Sequence, residues 1–179
     1  MKKLVYRLVT TLACAGLVGS VLYAAEATAQ QQPNPLDAIP DQMPFNVPYG
    51  APISLDHAKA VIAAAAAEAT KRHWNMNIAI VDSGGNLVAF ERMDGAQLAS
   101  ISIAEHKARV AVTFRRETKA IENGIQGGNN YLITLDGVIG SRGGIPLIEN
   151  GKLIGAVGCS GGTGSQDEVV AKAGAETVK

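Results

Sequence analysis

The chain has 179 residues, with 16 Lys and Arg balanced by 16 Asp and Glu, and two cysteines, Cys14 and Cys159. Its length fits one domain, its charge balance excludes the basic patch that a nucleic-acid partner would need, and two cysteines are too few for a disulfide framework.

Lys2, Lys3 and Arg7 lead into a stretch from Leu8 to Ala25 with no charge, and Ala27-Thr28-Ala29 follows as a small-x-small signature. This order of basic, apolar and cleavable segments predicts a secretory signal over residues 1–29 and places the protein in the periplasm or outside the cell. A membrane anchor and a lipoprotein at Cys14 are the competing readings of the same residues. Cleavage after Ala29 would remove Cys14 and the anchor, leaving Cys159 as the lone thiol and 13 basic against 15 acidic side chains.

Residues 30–52 hold six of the seven prolines and no periodic pattern, which predicts an extended, poorly ordered tether. Ser54 then reads as an N-cap, with Ala58, Val61, Ile62, Ala65 and Ala69 at helical spacing up to about Arg72. Two β-rich runs, 77–82 and 87–93, flank Ser83-Gly84-Gly85-Asn86 and predict an antiparallel hairpin. Ser102 and Glu105 suggest a capping box for a second helix running to Phe114, with Ala104, Ala108, Ala111 and Val112 as its apolar stripe. A short helix over 117–123 is expected to stop at Gly124.

Tyr131 to Leu135 predicts a short strand inside a loop rich in glycine and asparagine. Runs 145–148 and 152–159 flank Asn150-Gly151, a strong hairpin signal. The glycine loop Gly161-Gly162-Thr163-Gly164 precedes a final helix, for which Ser165 and Glu168 form the expected capping box. The sum is an α/β chain with five strands in a largely antiparallel sheet flanked by helices.

The three histidines, at 57, 73 and 106, match no zinc signature. His57 and His106 each sit one turn before a valine on their helices, beside apolar residues, a setting that suits an axial ligand to haem iron. His73 follows Lys71 and Arg72 at a helix end and reads as structural. With no Cys-x-x-Cys-His present, any haem would be held non-covalently and could exchange. The loop 158–164 precedes a helix N-terminus and could take an anion, a carboxylate included, and Arg142 could pair a carboxylate bidentately. Cys159 has no histidine beside it in sequence, and no pair of carboxylates is forced together, so binding is expected in preference to catalysis.

Several of these segments together resemble the GlcG/HbpS family, which also includes the C-terminal domain of PduO-type proteins. They are Ala79-Ile80-Val81-Asp82-Ser83-Gly84-Gly85-Asn86-Leu87, Ala104 with Lys107-Ala108, Gly143-Gly144-Ile145-Pro146-Leu147, and residues 151–164 followed by Gln166-Asp167-Glu168. The resemblance covers residues 53–179. It implies a profilin-like fold with five antiparallel strands, homo-oligomeric assembly and haem as cofactor, carried or sensed outside the cytoplasm. In that reading His57 or His106 is the metal ligand and Lys107 or Arg142 lies near the propionates. Where many members carry a threonine on the second helix this chain has Val110, so Thr113 becomes the nearest hydroxyl. The alternative implied by the same resemblance is an enzyme or accessory protein acting on a small carboxylate.

Overall fold

Ser54 starts the first helix as expected. Its side chain accepts a hydrogen bond from the His57 backbone N–H (3.2 Å), and α1 runs Leu55–Lys71 with Ala58, Val61, Ile62, Ala65 and Ala69 buried. The computed structural model describes residues 37–179, so the predicted signal and the first seven tether residues lie outside the described residues. Among the described residues, no helix is long and apolar enough to cross a membrane.

The remaining elements follow as β1 (Asn77–Asp82), β2 (Leu87–Arg92), α2 (Ser100–Thr113), α3 (Thr118–Gln126), a 3-10 turn (Asn130–Thr134), β3 (Gly144–Glu149), β4 (Lys152–Ser160) and α4 (Gly164–Ala175). The described residues form one sheet of four antiparallel strands in the order β2-β1-β4-β3, and the fifth strand expected at 131–135 is a 3-10 turn instead. That segment has β-type residues but no sheet edge beside it, and the Thr134 hydroxyl closes the turn by donating to the Tyr131 carbonyl (2.7 Å).

Side chains on a strand alternate between faces, and here the alternation divides the core in two. Ile78 and Ile80 join Val157 and Cys159 under α1 and α4, whereas Ala79, Val81 and Ala156 pack against Ala104, Ala108 and Ala111 of α2. The register agrees, since Ile78 pairs with Cys159 and Ala79 with Gly158. The first face is built mainly from larger aliphatic side chains, whereas five of the eight buried residues of the second are alanine, and the α2 backbone comes close to the sheet at Gly158.

Neither capping box forms where it was predicted. α2 begins two residues before Ser102, and its first-turn Ser100 is buried, bonded to Gln97 Nε2 (2.6 Å) and to Ser160 Oγ (3.0 Å). α4 is capped by Thr163 with Gln166, because Glu168 faces the basic side chains of Lys119, Lys172 and Arg142. α3 continues past Gly124 to Gln126. A side chain at Gly124 would meet Leu132 Cδ1 at 2.7 Å, so the glycine admits a neighbour and does not end the helix.

The tether is docked at its C-terminal end. Tyr49 bridges Leu153 beyond the end of β1, with Gly50 N–H donating to the Leu153 carbonyl and Leu153 N–H to the Pro48 carbonyl (both 2.8 Å). The Tyr49 hydroxyl donates toward the carbonyls of Val112 and Thr113 (3.2 Å each), at the end of α2 where helix carbonyls lack intrahelical partners. Arg115 and Arg116 stack over the rings of Tyr49 and Phe45. The absence of a periodic pattern in residues 43–52 therefore conceals a segment that is held by backbone and aromatic contacts.

Candidate functional site

α2 carries two consecutive candidate residues in opposite environments. Successive helical residues differ by about 100° around the axis, so when Lys107 points into the protein, His106 points away from it. Lys107 is 1% exposed, and its ammonium donates to Asp167 Oδ2 (2.6 Å) and to the Cys159 carbonyl (3.2 Å). Gly143 makes this crossing possible: its φ is +117°, and a side chain there would meet Asp167 Cβ at 2.7 Å and Lys107 Nζ at 3.2 Å. Lys107 is thus a strut joining the helix layers and is not available to a ligand.

Asp167 also fills the glycine loop. Its Oδ1 accepts the backbone N–H groups of Gly161 (3.1 Å) and Gly162 (3.0 Å), while Gln166 takes the N–H of Thr163. The anion expected at this helix N-terminus is the protein's own carboxylate. Burial pushes the Asp167 carboxyl above the ordinary carboxylate range, against the lowering effect of Lys107 and the two N–H groups.

Arg142 is likewise committed. Its backbone N–H and Nε bind Glu122 (2.7 and 2.9 Å), Nη1 reaches Glu168 (3.5 Å) and Nη2 reaches Asn123 (3.3 Å). Burial pushes Glu122 and Glu168 upward, but hydrogen bonds from Arg142 to the first and from Lys172 and Lys119 to the second prevail, and both sit below the ordinary value of 4.5. Groups lowered on folding stabilise the fold above their unfolded pKa, and that contribution fades as pH falls through the folded values. Arg142→Ala is expected to lower the urea midpoint at pH 7, with the gap to wild type closing below about pH 4, as read by urea unfolding across pH.

Cys159 is fully buried, and burial with the nearby Asp167 charge raises its thiol pKa far above the ordinary value. This agrees with its reading as a packing residue. Native protein is expected to resist iodoacetamide at pH 8 and the urea-unfolded chain to react; labelling of the native thiol would contradict the burial.

His57 and His106 lie on helices packed against opposite faces of the sheet and line separate grooves. His57 is exposed at the start of α1, its Nδ1 3.6 Å from Glu149 Oε1, beside a groove of about 380 Å³ that also includes Pro52, Lys152 and Ile154. His106 lines a groove of about 790 Å³, within the range typical of small-molecule sites. Its walls are Ser102, His106, Arg109, Thr113 and Phe114 on one side and Asp136 and Gly137 on the other. The structure therefore brings Thr113 to His106, its hydroxyl donating to the Arg109 carbonyl (2.8 Å), and leaves Lys107, Arg142 and His57 elsewhere. Val110 is buried.

His106 Nε2 lies 3.0 Å from the Gly137 carbonyl oxygen. A carbonyl only accepts, so in the neutral ring Nε2 holds the proton and Nδ1 keeps its lone pair. A ring whose other N–H is fixed by a backbone carbonyl is a common arrangement for a metal-ligating histidine. The groove thus fits a planar ligand bearing a metal, with an imidazole, an aromatic wall at Phe114 and hydroxyls at its ends.

Ser102, Arg109, Phe114 and Asp136 were not among the expected site residues. The signal was present in the spacing, since 102, 106, 109 and 113 repeat at helical intervals and form one polar stripe opposite the alanines. The Ala-Ile-Val-Asp-Ser-Gly-Gly-Asn segment, by contrast, is the end of β1 and the turn that follows it. Asp82 Oδ1 accepts from the N–H groups of Gly84 (2.8 Å) and Asn86 (2.9 Å) and fixes the β1–β2 hairpin.

Comparison with known proteins agrees with this fold. Residues 53–176 match the family described as haem degrading protein HbpS-like. The chain is 43% identical over 108 residues to Protein GlcG of Escherichia coli K12, covering 60% of this chain and 81% of that protein. The crystal structure of a double mutant of Streptomyces reticuli HbpS superposes with a TM-score of 0.68 at 27% identity, covering 79% of this chain and 98% of the other. That of a PduOC:heme complex gives 0.66 at 27%, covering 72% and 96%. With the family match spanning most of the chain and the four-stranded α/β fold shared with HbpS, this protein belongs to the HbpS-like family, whose structural neighbours include a haem complex.

Proposed function

We propose that this is an exported protein that binds haem non-covalently in the α2 groove, with His106 as axial ligand, and acts as a haem carrier or redox sensor outside the cytoplasm. The observation that carries the reading is His106 itself, held through Nε2 by the Gly137 carbonyl, with Nδ1 unpaired among the described residues, in a groove large enough for a cofactor. The family description and the haem complex of a relative support the same ligand. When bound, haem supplies one redox-active iron. Phe114 and Thr113 would flank the ring, and the loop bearing Asp136 and Gly137 would limit access by water.

Export rests on the signal pattern of residues 1–29, and the N-terminal mass of protein recovered from a periplasmic or culture fraction tests it. Exposed Leu98, Tyr131 and Ile133 support homo-oligomeric assembly, which gel filtration reads.

A Soret titration tests the site. Because loss of even an outer-shell partner costs roughly 10–100-fold in metal affinity, His106→Ala is expected to weaken haemin binding at least as much and to shift the Soret band. His57→Ala should titrate as wild type. An unchanged titration for His106→Ala would remove the axial assignment.

A further inference from the structure

The cations nearest to the glycine loop and β3, Lys107 and Arg142, have their donors committed to internal partners. Arg109 differs. It lines the same groove as His106, three residues further along α2, so the two side chains lie on one face about 5–6 Å apart at Cβ. Among the described residues its side chain pairs with Glu105, one turn back, which accepts from Nη2 at 2.7 Å. The pair is solvated, the arginine side chain being 47% exposed, and a solvated pair of this spacing is weak. The guanidinium has five N–H donors in a planar fork, so most remain for a second carboxylate presented from the groove. Asp136 on the facing wall carries the opposite charge, so an acidic group enters favourably only at the Arg109 end.

We propose that Arg109 binds a carboxylate of the groove's ligand, so that the groove selects a planar apolar body carrying an acidic side arm. The proposal rests on the α2 groove being the binding site. Ser102 and Thr113 mark the two ends of the stripe, with His106 and Arg109 between them. The metal-ligating nitrogen and the anion-binding fork are therefore adjacent on one rigid helix, which fixes the distance between the two recognised features of the ligand. Glu105 acts as an internal competitor for the fork when no ligand is present.

Haemin and its dimethyl ester, titrated in one detergent-containing buffer, separate the contribution of the acid from that of the ring. Arg109→Gln is expected to weaken haemin on the order of tenfold, the scale of a charge-assisted hydrogen bond, and to leave the ester unchanged. Glu105→Gln, which removes the competitor, is expected to tighten haemin and not the ester. Melting of Arg109→Gln within about 2 °C of wild type would confirm that the exposed side chain is not holding the fold. Equal loss for acid and ester, or no loss for either, overturns the carboxylate anchor. If His106→Ala binds haemin like wild type, the axial assignment fails on its own, while a loss confined to haemin in Arg109→Gln still upholds the anchor.

Discussion

Lys107→Ala is expected to destabilise the protein by about 3–5 kcal/mol, because it removes one member of a buried ion pair and leaves the other charge behind. The ammonium and the Asp167 carboxylate are both almost completely buried and 2.6 Å apart. Asp167 holds two backbone N–H groups of the glycine loop, so its loss of a counter-ion is felt at the start of α4 as well as in α2. Urea unfolding at pH 7 reads the change. The pH dependence provides a second check: burial already raises the Asp167 carboxyl, and without Lys107 it rises further. A group raised on folding binds its proton more readily in the native state, so the variant should recover stability relative to wild type as pH falls below neutral. A variant as stable as wild type but weakened in haemin binding would instead return Lys107 to the ligand.

Gly158→Val is expected to cost about 3 kcal/mol or more and to lower haemin affinity at the same time. A side chain at Gly158 would run into the Ala104 carbonyl, with the Ala108 nitrogen at 2.5 Å and its Cβ at 3.0 Å. All three belong to α2, so the helix must move off the sheet. Because α2 also carries Ser102, His106, Arg109 and Thr113, displacement alters the groove without touching any residue that lines it. The pattern separates packing from chemistry. His106→Ala should affect binding with little change in the urea midpoint, and Gly158→Val should affect both. Binding unaffected by Gly158→Val would show that the α2 position against the sheet does not set the groove.

Both outcomes run through α2, which packs on the face of the sheet where alanine is commonest. On the α1 and α4 face, Ile78, Ile80, Leu147 and Val157 bury larger aliphatic side chains. On the α2 face, backbone approaches backbone, and adjustment is limited because there are few side-chain atoms to rearrange. The groove is built on the less adaptable face, which suits a site that must hold an imidazole and a guanidinium in fixed relation.

Local signals in the sequence determined much of this structure. Ser54 and the five buried residues of α1, the bounds of β1 and the hairpin at Asn150-Gly151 all follow from periodicity, capping and turn chemistry, which act over a few residues. The family also was legible, because its motifs are largely turns and close approaches that demand particular residues, as Asp82 and Gly143 show. Tertiary structure alone decided the rest. Residues 131–135 have the composition of a strand but lack a free edge to pair with, and residues 45–49 have no periodicity yet dock against α2 and the turn that follows it. Lys107, Arg142 and the glycine loop each looked ready for an anion in sequence, but Asp167, Glu122 and Glu168 arrive from other elements to satisfy them. The charge of a residue is local; whether that charge is free to meet a ligand depends on partners up to 60 positions away. For the same reason His106, and not His57, shares its groove with Arg109, Thr113 and Phe114.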